Sequence, residues 1–276
     1  MFAYLDFGAQ RLGLERPSVM GILNVTHDSF SDGGLFVERE RALDYARQMV
    51  ADGADIIDIG GESTRPGAAS VRDDVEGDRV IPLVEILARE GIRVSVDTRK
   101  PVVMRAALAA GAGMINDVSA LREPGAMEAV AAGNAAVCLG HMQGEPRTMQ
   151  SEPHYNDVVS EVFDFLVERS GQCEAAGISR SRIAIDPGFG FGKTVAHNLQ
   201  LLRSLRTFAD SGYPVMVGLS RKSTLGGITG RDVNERVSAS VAAALAAVAR
   251  GALIVRVHDV RETVDALKVW QAIEDN

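Results

Sequence analysis

Eight times along this 276-residue chain a short apolar run gives way to a longer stretch with helical spacing. That alternation restricts the fold more than any other feature, because strand-helix units repeated in order build parallel sheets covered by helices. The strand candidates are Val19–Val25, Asp55–Ile59, Arg93–Val96, Met114–Val118, Ala136–Leu139, Ile183–Ile185, Val215–Leu219 and Leu253–Val257. Most are unbroken apolar runs rather than alternating ones, as expected of strands buried on both faces. Helical patterns span Glu38–Ala51, Arg72–Arg89, Pro101–Ala109, Pro124–Ala131, Tyr155–Ala176, Val195–Thr207, Asn234–Arg250 and Val260–Ala272, several of them stopped by Gly. An open doubly wound sheet would use the same units. Eight of them in this length fit a single (β/α)8 TIM barrel, an α/β fold expected to occupy residues 1–276 as one domain.

In a barrel the active site lies at the C-terminal ends of the strands, and those ends are chemically loaded here. They carry, in chain order, Asn24, Asp58 leading into "GGESTRPG", Asp97, Asn116 with Asp117, His141, Asp186 before "PGFGFGKT", Lys222, and Arg256 with His258. Singly, each could end a strand or start a turn. Together they read as a recognition surface. Asp97, Asn116 and Asp186 suit a heterocycle with several N–H and carbonyl groups, since a carboxylate pairs in bidentate fashion with an N–C–NH2 edge. Arg65, Lys222, Arg256 and His258 suit a phosphate or diphosphate. The nine residues of "THDSFSDGG", Thr26–Gly34, polar or glycine but for Phe30, exceed what a short connection needs and suggest a loop that closes over a ligand.

Several functions are disfavoured. A net charge of −8 gives no overall positive field for nucleic acid or an acidic membrane, so anions must be held by local cations. The longest apolar stretch, Ala239 to Ala249, is too short to span a bilayer, and the N-terminal residues do not resemble a signal peptide; a cytoplasmic protein is expected. Cys138 and Cys173 form no zinc or redox spacing. No nucleophile constellation is present. "PGFGFGKT" falls short of the G-x-x-x-x-G-K-[ST] phosphate loop, because position 187 is Pro, and of G-x-G-x-x-G, because the third Gly is Gly192. There is no H-x-x-x-H pair, so magnesium brought in with a diphosphate is the metal to expect, with Asn24 as a candidate oxygen donor.

"MGILNVTHDSFSDGG" and "GADIIDIGGESTRPGA" closely resemble the signature loops of the dihydropteroate synthase family of pterin-binding enzymes. "SVDTRK", "INDVSAL", "HMQGEPRTMQ", "IDPGFGFGKTVAHNL", "VGLSRKS" and "VRVHDV" follow in the family's order, from about Met20 to Trp270. The resemblance implies a (β/α)8 barrel, usually homodimeric, that joins 6-hydroxymethyl-7,8-dihydropterin pyrophosphate to p-aminobenzoate in folate biosynthesis. It implies that Asn24 meets Mg2+ and the diphosphate, and that Asp97, Asn116, Asp186 and Lys222 line the pterin pocket. Thr64, Arg65, Arg256 and His258 would surround the diphosphate. Thr64, Pro66, Phe30, Phe191 and Ser223 would form the aminobenzoate site, where sulfonamides compete. The implied chemistry is dissociative: Asp97 supports a cationic pterin methylene, Asp32 lies near it, and Arg65, Arg256, His258 and Mg2+ stabilise the departing diphosphate.

Two positions depart from the family pattern. His27 stands where Pro is usual, which predicts a more mobile first loop and weaker ordering of the aminobenzoate site. Gly140 stands where Met is usual, which predicts a missing apolar wall beside the pterin unless a neighbour fills the space. The alternatives are a pterin-binding paralogue without synthase activity and a methyltetrahydrofolate-dependent methyltransferase domain. The latter has no need for Arg65, Arg256 and the Ser-Thr-rich loop. "SASVAAALAAVA", Ser238 to Ala249, is apolar on nearly every side and small enough for close helix contact, so a homodimer through this helix is expected.

Overall fold

The computed structural model describes residues 4–26, 34–63, 67 and 70–274, residues 34–36 by their backbone alone. Two short strands, β1 (Tyr4–Phe7) and β2 (Gln10–Gly13), precede the repeats and pair antiparallel. The chain then runs β3 (Ser18–Asn24), α1 (Gly34–Ala51), β4 (Ile56–Gly60), α2 (Asp73–Arg89), β5 (Val94–Asp97), α3 (Pro101–Ala109), β6 (Met114–Asp117) and α4 (Ala126–Ala131). It continues with β7 (Ala136–Gly140), α5 (Val158–Ala175), β8 (Ile183–Asp186), α6 (Val195–Arg203), α7 (Leu205–Ala209), β9 (Met216–Val217), α8 (Ser223–Thr229), α9 (Val237–Val248), β10 (Ile254–Val257) and α10 (Val260–Glu274).

Strands β3 to β10 form one parallel sheet in the order β8-β7-β6-β5-β4-β3-β10-β9. The two ends meet where Ile185 bridges Val215, with the Ile185 N–H donating 2.9 Å to the Pro214 carbonyl, so the sheet closes into the expected (β/α)8 barrel. Strand side chains alternate between the two faces. Those facing outward, such as Leu23, Ile57, Val96, Ile115 and Val255, pack against the helices in the main core. Those facing inward form an apolar layer at the N-terminal end: Met20, Ile56, Met114, Ala136, Ala184, Met216 and Ile254.

The sequence reading misses the β1–β2 hairpin, and it seals this end of the barrel. Leu5, Phe7, Leu12 and Leu14 join the inward apolar layer. Phe7 lies so close to Gly113 that a Cβ there would fall 2.3 Å from its ring. Several helices also differ from expectation. The helix predicted over Val195–Thr207 breaks at Ser204 into α6 and α7, an extra helix α8 follows β9, and α9 begins at Val237 after a short turn of 3-10 helix. Helix α5 starts at Val158 rather than Tyr155, because the Asp157 carboxylate caps it by accepting from the Val159 and Ser160 N–H groups.

Candidate active site

Further up the barrel the inward positions turn polar. Adjacent strands pair Asn24 with Gly60, Gly60 with Asp97, and Asp97 with Asn116, so their C-terminal ends stand level. Gly60 keeps the space between Asn24 and Asp97 open: a Cβ there would sit 3.4 Å from Asn24 Oδ1 and 3.7 Å from Asp97 Cβ. Asp58 lies one inward position below and is fully buried.

Arg256, from β10, reaches across the barrel to this cluster. Its Nε donates 2.6 Å to Asp58 Oδ2 and its Nη2 donates 2.8 Å to Asp97 Oδ2. Asn116 Nδ2 donates 3.2 Å to the same Asp58 oxygen, while Asp58 Oδ1 is buried without a hydrogen-bond partner. Arg256 Nη1 bonds no described residue. Burial pushes the Asp97 carboxyl up to about 7; Arg256 opposes the shift, and the Asp58 and Glu76 carboxylates add to it. Burial also disfavours the Arg256 charge, but Asp58 and Asp97 outweigh it and hold the guanidinium above its ordinary value. A single cation thus holds two carboxylates in a buried site.

The opposite wall is built by Asp186 and Lys222. Asp186 Oδ1 accepts the Gly188 N–H at 2.8 Å, which fixes the carboxyl at the strand end, and burial raises its pKa while Lys222 opposes the rise. Lys222 enters from the turn after β9, where Arg221 takes φ 58° and is held by the Asp259 carboxylate and by the Ser240 hydroxyl, which accepts its N–H at 3.0 Å. Lys222 Nζ donates to the Phe189 carbonyl and lies 4.5 Å from the centroid of the Phe191 ring. Burial lowers its pKa to about 8, with Asp186 working in the other direction.

Of the residues expected from sequence, Asp97, Asn116, Asp186, Lys222 and Arg256 converge inside the barrel, and half-buried Phe191 borders them through Lys222. Asn24 is exposed at the rim, Ser223 opens α8 and is exposed, and His258 is held by Ser220 Oγ, 3.0 Å from its Nδ1. His27, Phe30, Asp32, Thr64, Arg65 and Pro66 lie outside the described residues. Gly34, placed by sequence at the end of the first loop, is already the first residue of α1.

Asp58, counted among the loaded strand positions but given no role from sequence, lies at the centre of the floor, where its inward place in "DIIDIGG" sets it beneath Asp97 and against Arg256. Asp117, in contrast, faces outward, and its carboxylate accepts from the Ser119 and Leu121 N–H groups at 2.7 and 2.8 Å; it shapes a turn. At Gly140 a Cβ would lie 2.8 Å from Val118 Cα, so backbone already occupies the space where an apolar wall was expected to be missing.

The donor set fits a magnesium ion that arrives with a ligand rather than one held by the protein alone. No group of three or more His, Cys, Asp or Glu side chains among the described residues could bind a metal, whereas Asn24 offers one hard oxygen at the rim. No described helix is long and apolar enough to cross a membrane.

A buried floor of acids and an amide, bridged by one arginine and walled by one lysine, is a site for a nitrogen-rich ring. Residues 20–258 match the family described as pterin binding enzyme. The dihydropteroate synthase of Neisseria meningitidis serogroup B is 52% identical over 276 residues, covering 98% of this chain and 97% of the relative. Among solved structures, Xanthomonas albilineans dihydropteroate synthase with 4-aminobenzoic acid superposes with a TM-score of 0.93 at 54% identity, covering 99% of each chain. Burkholderia cenocepacia dihydropteroate synthase complexed with 7,8-dihydropteroate superposes with a TM-score of 0.90 at 52% identity, over 100% of this chain and 98% of that one. The chain belongs to the pterin-binding enzyme family, on its dihydropteroate synthase branch.

Proposed function

We propose that this chain is a transferase that condenses 6-hydroxymethyl-7,8-dihydropterin pyrophosphate with p-aminobenzoate, giving 7,8-dihydropteroate and pyrophosphate for folate biosynthesis. The observation that carries this reading is the buried floor itself. Asp58 Oδ1 lacks a donor, and Asp97 and Asp186 are carboxyls raised by burial, so the pocket presents acceptors awaiting the N–H groups of a ring. Asn116 and Lys222 supply the donors that such a ring's carbonyl and ring nitrogen need.

In this reading the pterin stacks above Asp58 with its edge on Asp97 and Asp186, and its methylene points to the rim. The carbon–oxygen bond to the diphosphate breaks, the diphosphate leaves with the electron pair, and the ring and the Asp97 carboxylate support the cation that remains. The aminobenzoate nitrogen then bonds to the methylene and loses a proton. Arg256 offers Nη1 to a phosphate oxygen, while its Nε and Nη2 hold the floor. Mg2+, held in part by Asn24, would supply charge neutralisation at the diphosphate. Thr64, Arg65 and His258 complete the diphosphate site in this proposal, with Phe30, Pro66, Phe191 and Ser223 around the aminobenzoate and Asp32 near the reacting carbon. No protein nucleophile is required.

A homodimer belongs to the same proposal. Helix α9 exposes Ser238 and Ala242 beside an apolar groove of about 300 Å³ lined by Leu199, Leu202, Leu225, Ile228 and Ala239, and Ile228 is 55% exposed. A cytoplasmic setting is supported by the two buried, unpaired thiols. Radiolabelled p-aminobenzoate with the pterin pyrophosphate tests the function directly: Mg2+-dependent labelled dihydropteroate is expected. Binding of both substrates without product would favour the paralogue instead. A monomeric mass in light scattering at micromolar concentration would overturn the dimer.

A further inference from the structure

The "GKT" that fails as a phosphate loop leaves a buried lysine without an assigned role. Lys193 is only 3% exposed and pairs with no carboxylate among the described residues. Its ammonium instead donates to three backbone carbonyls, those of Gly188 at 2.9 Å, Phe191 at 3.1 Å and His141 at 3.2 Å, and lies 2.9 Å from His141 Nδ1. Its donors are consumed inside the protein, so it is not a phosphate ligand. Burial, aided by the neighbouring Lys193 and Arg122 charges, pushes the His141 pKa down to about 3, so the ring is neutral and its Nδ1 can share one of the three ammonium N–H groups with a carbonyl.

This cage ties the β8–α6 turn to the β7–α5 connection. Gly188, at φ +70°, presses so closely that a Cβ would fall 1.8 Å from the His141 carbonyl oxygen; at Gly192, with φ +61°, a Cβ would fall 2.4 Å from the Gln143 carbonyl oxygen. Between the two glycines the turn presents its other groups to the site. The Phe189 carbonyl accepts from Lys222, and the Phe191 ring lies beneath the same ammonium. Turning the Gly188 and Phe191 carbonyls inward onto Lys193 is what directs the Phe189 carbonyl and the Phe191 ring toward Lys222.

We propose that Lys193 is a positioning residue for the aminobenzoate end of the site: caged by the His141, Gly188 and Phe191 carbonyls, it fixes the turn that presents Phe191 to the second substrate. The inference rests on the proposed function, which assigns Phe191 to aminobenzoate. Lys193→Met keeps the aliphatic stem and removes the donors. It is expected to raise KM for p-aminobenzoate about 10-fold while shifting KM for the pterin pyrophosphate by less than about 3-fold. In a Phe191→Ala background the same substitution should add no further loss, because its effect runs through that ring. In Lys193→Ala, added methylammonium should enter the vacated cage and restore the aminobenzoate KM in part, whereas tetramethylammonium, which has no N–H, should not.

A Lys193→Met enzyme with lowered thermal stability but both KM values unchanged would overturn the proposal, as would full additivity with Phe191→Ala. If Lys193→Met does not fold, His141→Asn, which keeps the backbone carbonyl and removes the imidazole, takes its place. A smaller aminobenzoate-selective loss is expected there, and an unchanged KM refutes the proposal. Absence of turnover in the unsubstituted enzyme would instead count against the proposed function, so the two failures are distinguishable.

Discussion

Replacing Arg256 with Met should make the stability of this protein steeply dependent on pH in a range where the parent is nearly flat. The guanidinium holds Asp58 at 2.6 Å and Asp97 at 2.8 Å, with side-chain exposures of 17% for the arginine, 0% for Asp58 and 14% for Asp97. Removing one partner of a buried ion pair costs about 3–5 kcal/mol if the orphaned charge stays ionised. Here a proton can replace the lost cation. In the parent, Asp97 sits at about 7, above the ordinary carboxylate value, so the folded state binds the extra proton and stability falls as pH rises through 7. Arg256 is the group that opposes this shift, so in the variant the Asp97 carboxyl remains protonated to higher pH. From pH 7 to 8.5 the variant then loses about 2 kcal/mol, at ~1.4 kcal/mol per pH unit for one proton, against about 0.4 kcal/mol for the parent. Urea denaturation of both proteins at the two pH values gives the difference by linear extrapolation. The gap should widen by about 1.6 kcal/mol at pH 8.5. A constant or narrowing gap would refute the idea that Arg256 is the counter-charge of the floor.

Lys222, lowered to about 8 by burial, should lose its charge above that pH, so kcat/KM for the pterin pyrophosphate falls on the alkaline side. Lys222→Arg should move that limb upward, and Lys222→Met should reduce kcat/KM at pH 7 by about 30-fold or more, the equivalent of ~2 kcal/mol. Gly140→Ala drives a methyl to 2.8 Å from Val118 Cα and should destabilise by about 1–3 kcal/mol, read as a lowered Tm. Gly113→Ala collides with the Phe7 ring at 2.3 Å and should cost a similar amount, about 1–3 kcal/mol, with Phe7→Leu in the same chain recovering part of it.

The barrel was legible because its outward strand faces and helix stripes carry the repeat in plain apolar periodicity. The hairpin was not: Tyr4–Phe7 and Gln10–Gly13 have four residues each, and only the inward layer they cover explains their leucines. Helix α8, seven residues with two glycines, has too little pattern to stand out, and Lys222 reaches the site from the turn before it. Among the site residues, Asp97, Asn116 and Asp186 could be read because they end strands. Asp117 shares that position but points the other way, and only strand parity separates it from Asn116. Asp58 could be seen near a strand end but given no role, because that role depends on an arginine 198 residues away in the chain. The contacts of Lys193 with three carbonyls belong to backbone geometry, which residue types do not encode.

The hairpin beneath the barrel makes the interior a cul-de-sac. Whatever settles against Asp58 must come through the mouth that the second reactant also uses, and it cannot escape below. The deeper guest therefore has to arrive before the shallower one covers it, and the joined product has to back out tail first. An order of arrivals is thus the expected outcome of an interior closed by the strands' own apolar layer and by four apolar residues near the start of the chain.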